Sequence, residues 1–100
     1  MERTQRQAWT GLGVPPAYEP MPVVGFTGRL TGRRIIISTI EGWQRDCRAW
    51  DEPVLHADGP VLPCVTERQW YRWQINGTMP KEINPVPIEA VWVESGRLRP

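Results

Sequence analysis

Residues 65–83 read V-T-E-R-Q-W-Y-R-W-Q-I-N-G-T-M-P-K-E-I, and no other stretch limits the possible folds so strongly. Thr66 and Gln69, three apart, have the spacing of a capping box, in which hydroxyl and amide satisfy the first unpaired N–H groups of a helix. Trp70 and Trp73, with Gln74 or Ile75, follow at helical spacing. Asn76-Gly77 supplies a left-handed stop and Pro80 forbids continuation. The spacing predicts a helix over 66–75. A helix of about ten residues does not hold in water by itself, so other parts of the chain must pack on it.

The rest of the composition narrows the class. A chain of 100 residues forms one small domain. With 40% hydrophobic and 23% charged residues, wholesale disorder is excluded. Eleven prolines and nine glycines require many turns and extended connections. No apolar run, Ile35-Ile36-Ile37 included, is long enough to cross a membrane as a helix. The opening Met1-Glu2-Arg3-Thr4-Gln5-Arg6 has no apolar segment behind it and is not expected to be a signal peptide. Two cysteines, Cys47 and Cys64, suit a reducing compartment, and a cytoplasmic protein is expected. Net charge is +1, yet eleven of the twelve basic residues are Arg. Guanidinium forks suit phosphate, carboxylate and base edges, although a GC-rich genome produces the same bias.

Taken in order, residues 1–22 read as an extended arm, with Gly11 and Gly13 as breaks and Pro15, Pro16, Pro20 and Pro22 keeping it open. Val23-Val24-Gly25-Phe26 and Ile35-Ile36-Ile37 flank a polar tip and signal a β-hairpin, which would cluster Arg29, Arg33 and Arg34. Such a tip is either a nucleic-acid arm or a solvated turn. Ser38-Thr39-Ile40-Glu41 has capping-box spacing, and Ile40, Trp43, Cys47 and Trp50 continue as an apolar stripe, predicting a first helix. Residues 51–64, with three prolines and Asp58-Gly59, read as a loop. Residues 83–88 read as a turn and 89–94 as a strand, with Val91 and Val93 on one face and Ala90 and Trp92 on the other. Residues 95–100 read as a tail. The division is therefore an arm and hairpin over 1–35 and a second unit over 36–100.

Reaction chemistry finds little footing. Cys47, His56 and Cys64 match no zinc spacing, so no metal is expected, and no base-orienting partner for a Cys–His nucleophile is visible. No glycine-rich phosphate loop occurs, and no cofactor, enzyme activity or small-molecule substrate is expected. The six tryptophans suit either base stacking or core packing, and their periodic placement favours the core.

The ordered pieces S-T-I-E-G-W-Q-R-D-C, V-T-E-R-Q-W-Y-R-W-Q-I-N-G-T-M-P-K-E-I and A-V-W-V-E-S resemble the excisionases of temperate phages and integrating elements, over roughly residues 36–98. Those are small winged-helix proteins related to the MerR-type and AlpA-type DNA binders. The resemblance implies an α+β winged helix-turn-helix domain with an N-terminal arm or hairpin. It also implies a sequence-specific architectural DNA binder that bends double-stranded DNA, alongside an integrase and further copies of itself, to direct DNA recombination toward excision. On that reading the helix 66–75 enters the major groove, with Arg68, Gln69 and Arg72 reaching bases and Thr66 reaching a phosphate. Arg29, Arg33 and Arg34 would add contacts from the hairpin. The chain departs from the family in its long 51–65 connection and in a turn at 84–89 without Lys or Arg. Residues 36–100 carry seven basic and nine acidic side chains, so phosphate binding there requires the arginines to gather on one face. The alternatives are a winged-helix transcriptional regulator and a protein-binding module such as a phage-encoded inhibitor of a host system.

Overall fold

The computed structural model describes residues 18–98. Seven strands and one α-helix follow in the order β1 (Tyr18–Pro22), β2 (Arg34–Thr39), β3 (Gly42–Ala49), β4 (Val54–His56), β5 (Gly59–Thr66), α1 (Glu67–Asn76), β6 (Asn84–Pro87), a 3₁₀ turn (Ile88–Ala90) and β7 (Val91–Leu98). The strands make one antiparallel sheet in the order β1-β7-β2-β3-β5-β4, with β6 on the other edge of β5, curled into a half-barrel. The winged helix-turn-helix expectation is therefore overturned, because its first helix and its wing are both sheet strands.

The first correction concerns residues 38–50. Ser38-Thr39-Ile40-Glu41 is not a capping box but the bend joining β2 to β3, where Thr39 Oγ1 accepts from the Glu41 N–H and donates to the Gly42 carbonyl. Gly42 has φ 129°, a value open to glycine and closed to a helix. Ile40, expected on an apolar stripe, is fully exposed at the turn. The stripe was misleading because β3 contains a bulge. Ile35 pairs with Cys47 but Ile37 pairs with Gln44, so Arg45 and Asp46 together face Ile36. The extra residue reverses the side-chain phase. Cys47 joins the inner core, whereas Trp43, four residues earlier, turns to the outer face and meets Trp92 edge-on at 5.6 Å.

The expected hairpin between 23–26 and 35–37 does not form either. Residues 23–26 make a turn closed by the Phe26 N–H on the Val23 carbonyl, and β2 pairs with β3 and β7 instead. The 35/36 division falls inside β2, and Val23, Leu30 and Ile35 share one core with Val91 and Val93. Of the expected arm, residues 18–22 form β1 against β7, and residues 1–17 lie outside the described residues. The supposed tail continues β7 as far as Leu98.

Residues 51–64, expected to be a loop, hold β4 and most of β5. Prolines are tolerated there by alternation. In an antiparallel ladder each residue directs its N–H and C=O to one edge, and its neighbour directs them to the other. Pro63 and Pro85 face each other, as two residues without N–H can only at a non-hydrogen-bonded pair. The polar edge of Pro63 then points to the gap between β3 and β4, where its carbonyl accepts from the Trp50 N–H at 2.8 Å. Pro85 and Pro87 direct their missing donors away from β5 along an edge strand, which blunts that edge.

The inner face carries Ile35, Ile37, Cys47, Ala49, Leu62, Cys64, Val86, Val91 and Val93, closed by Val23 and Leu30 from the connections. Ile35, Leu62, Val91 and Val93 are completely buried, each contributing on the order of 1.5–3 kcal/mol. The predicted alternation holds for Val91 and Val93 inward with Trp92 half-buried between them, whereas Ala90, expected opposite them, lies in the 3₁₀ turn and packs against the same core. Helix α1 matches as well. Thr66 and Gln69 form the capping box, and Gly77, at φ 73°, is the left-handed cap with its N–H on the Trp73 carbonyl.

Candidate functional site

Helix α1 leaves the end of β5 and lies on the outer face of the sheet, with none of its residues fully buried. Three tryptophans seat it. Trp50, just past β3, meets Trp73 edge-on at 5.0 Å and Trp70 at 6.2 Å, and Trp70 and Trp73 are 5.3 Å apart. Such pairs add about 0.5–1.5 kcal/mol beyond the area they bury. Gly32 passes under Trp70 so closely that a β-carbon there would stand 3.2 Å from the indole. The connection between β1 and β2 is thereby brought against the helix.

Arg48 locks this arrangement. Its Nε donates to Glu67 Oε2 at 3.0 Å, one Nη to the Gly32 carbonyl at 2.8 Å and the other to the Tyr71 hydroxyl at 3.0 Å. The same guanidinium lies 5.9 Å from the Trp70 ring centre and 5.3 Å from that of Tyr71. The other oxygen of Glu67 accepts from Arg34 Nε at 3.1 Å, and Arg34 also reaches Glu94 at 3.9 Å. One arginine thus ties β3, the 30–33 connection and the first turn of α1. Both Glu67 oxygens are occupied, and its charge sits at the positive end of the helix dipole.

The 29–34 connection is held by a second carboxylate. Glu52 accepts from the Leu30 N–H at 2.9 Å, from the Thr31 N–H at 2.7 Å and from the Thr31 hydroxyl at 2.6 Å. Hydrogen bonds from the Thr31 hydroxyl and N–H hold this carboxyl below its ordinary range, aided by the Leu30 N–H and Arg29. Arg33 donates through Nε to the Arg29 carbonyl at 2.6 Å and lies over the Phe26 ring.

The arginines and polar groups singled out in the sequence divide into two sets. Thr66 and Gln69 are consumed by capping: Gln69 Oε1 accepts from the Thr66 N–H at 2.9 Å, and Thr66 Oγ1 accepts from the Gln69 N–H at 3.1 Å. Arg34 is ion-paired. Arg68 and Arg72 stand on the exposed face of α1 with Tyr71 and Ile75, and neither has a hydrogen-bond or ion-pair partner among the described residues. The Arg29 guanidinium makes no hydrogen bond or salt bridge there, although its charge acts on Glu52, and Arg29 and Arg33 are exposed. Gly32, Trp70 and Arg48 bring the connection that carries Arg29 and Arg33 against α1, although some 35 residues separate them in sequence. Arg48 and Glu67 escaped the sequence reading, whereas Trp50 was expected to pack with Trp70 and Trp73 and does so. Arg48 sat off the supposed stripe, and only strand pairing reveals its direction.

Catalytic groups find no support in the geometry. Burial pushes the Cys47 thiol up to about 11, with the charges of Asp46 and Glu67 adding, and burial pushes Cys64 up to about 12. Both stay protonated at neutral pH and are poor nucleophiles. His56 is exposed in β4, beside the β4–β5 turn. No cluster of three or more metal-ligating side chains occurs among the described residues, and no described helix is long and apolar enough to cross a membrane. No family model, curated protein or solved structure matches the chain.

Proposed function

We propose that the chain is a non-catalytic binding module whose ligand is the phosphate backbone of double-stranded nucleic acid, held by Arg29 and Arg33 from one connection and Arg68 and Arg72 from α1. One observation carries this reading. Glu52 and Glu67 are saturated by internal donors, so Arg68 and Arg72 have no hydrogen-bonded or ion-paired anion among the described residues, and Arg29 meets Glu52 only through space. Phosphate neutralisation is the main source of duplex affinity, and a near-neutral chain supplies it only where cations are segregated. The excisionase-like role implied a first helix packed on the reading helix and a wing. With β3 in place of that first helix and the wing residues paired into the sheet, only the arginines support nucleic-acid binding, and no integrase partner is proposed.

The test is fluorescence anisotropy on a labelled mixed-sequence duplex at several salt concentrations. Four phosphate contacts predict a log–log salt slope of about −3.6. The double variant R68A/R72A should lower the slope magnitude by about 2 and leave the melting temperature within a degree or so. Absence of binding at low salt would remove the reading. A second reading, a protein partner, is favoured by the exposed Tyr71, Ile75 and Met79 on and just beyond α1. It predicts salt-insensitive association and no duplex affinity.

A further inference from the structure

A cavity of about 520 Å³ opens on the side of α1 that faces β6, away from the arginines. Its size lies within the range of small-molecule sites. Ile37, Cys47 and Cys64 form the floor, and because both thiols are protonated, that floor is neutral, apolar and polarizable. Residues 82–85, the lead into β6, form the opposite wall. The bulge in β3 turns Gln44 toward this space, on the same face as Cys47.

The polar groups at the mouth determine what fits. The side chains of Gln44, Glu82 and Asn84 have no hydrogen-bond partner among the described residues. No Lys or Arg lines the cavity, whereas Glu82 does. An anion is therefore repelled. A planar group with N–H donors satisfies the carboxylate, and a flat apolar body suits the floor of Ile37 and the two thiols.

From this geometry we propose that the cavity is a binding site for a small planar organic cation, such as an amidine or a protonated heteroaromatic amine, with Glu82 receiving its N–H donors and Gln44 and Asn84 completing the rim. The site is independent of the nucleic-acid reading, since it shares no arginine with it.

Benzamidine and benzoate, nearly isosteric and opposite in charge, test the proposal by NMR titration of the ¹⁵N-labelled full chain. Benzamidine should shift the Gln44, Gln69, Ile83 and Asn84 amides saturably, and benzoate should leave them in place. Glu82→Gln, at an exposed position, should weaken benzamidine binding about fivefold or more while keeping the native spectrum. Equal shifts with both probes, benzamidine shifts confined to other residues, or no shift at all would each overturn the site. Unchanged affinity in Glu82→Gln would overturn the role of that carboxylate and with it the cation preference.

Discussion

Arg48 is the side chain on which the outer face turns. Its three hydrogen bonds tie β3 to two separate segments, α1 and the connection at Gly32, and its partner Glu67 is only about a fifth exposed. Arg48→Ala leaves Glu67 with Arg34 alone and strips the donors from Gly32 and Tyr71. The expected loss is about 1–3 kcal/mol in urea denaturation. Arg68→Ala, on the solvent side of the same helix, should stay within about 0.5 kcal/mol. Glu52 acts through protonation. Its folded-state pKa is lowered, so it stabilises the fold above its unfolded value of about 4.3, and that contribution is lost as pH falls through the folded pKa. Glu52→Gln should therefore be less stable than the parent chain at pH 7, and the gap should narrow toward pH 3. A gap that is constant with pH would show that shape, rather than charge, sets the loop.

At the scale of elements, the helix and the β2–β3 hairpin respond to different information. The capping box, the tryptophan spacing and the Asn76-Gly77 stop all act within a turn or two of chain, so α1 was legible residue by residue. Thr66→Ala removes the acceptor for the Gln69 N–H and should cost about 1 kcal/mol, read as faster amide exchange in the first turn of α1. The hairpin was not legible. Ser-x-x-Glu spacing is shared by a helix cap and a tight turn, and Trp43 and Cys47 suit a helical stripe until the bulge places them on opposite faces. Proline in β5 misled for a related reason: whether it breaks a strand depends on which edge its nitrogen faces, and that is known only once β6 and β3 are in place. Of the candidate site, the arginines were visible as residue types, and the capping box that consumes Thr66 and Gln69 was legible too, although the same two residues were also assigned to DNA.

For the whole molecule, the decisive contacts are distant in sequence. β7 lies between β1 and β2, and β1 pairs with it across some 75 residues. Such pairing makes folding slow, on the order of milliseconds to seconds, and leaves the core strongly protected once formed. Cys47 and Cys64 report on that protection. With thiols pushed to about 11 and 12, neither should react with an aromatic disulfide reagent at pH 8 except at the rate of unfolding, and denaturant should release both. Rapid labelling of the native chain would mean that the floor of the 520 Å³ cavity is open to large reagents.

By itself the sequence determined the helix with both its caps and the inward alternation of Val91 and Val93, because propensity, capping and side-chain period are local properties. It also limited the chain to one small domain whose cations are almost all arginine. Tertiary structure alone decided that residues 42–49 are a strand, that Glu52 and Glu67 are saturated, and that the connection at Gly32 packs against α1. Those outcomes depend on which backbone edge finds a partner, and a partner thirty or more residues away leaves no period in the chain for a local pattern to reveal.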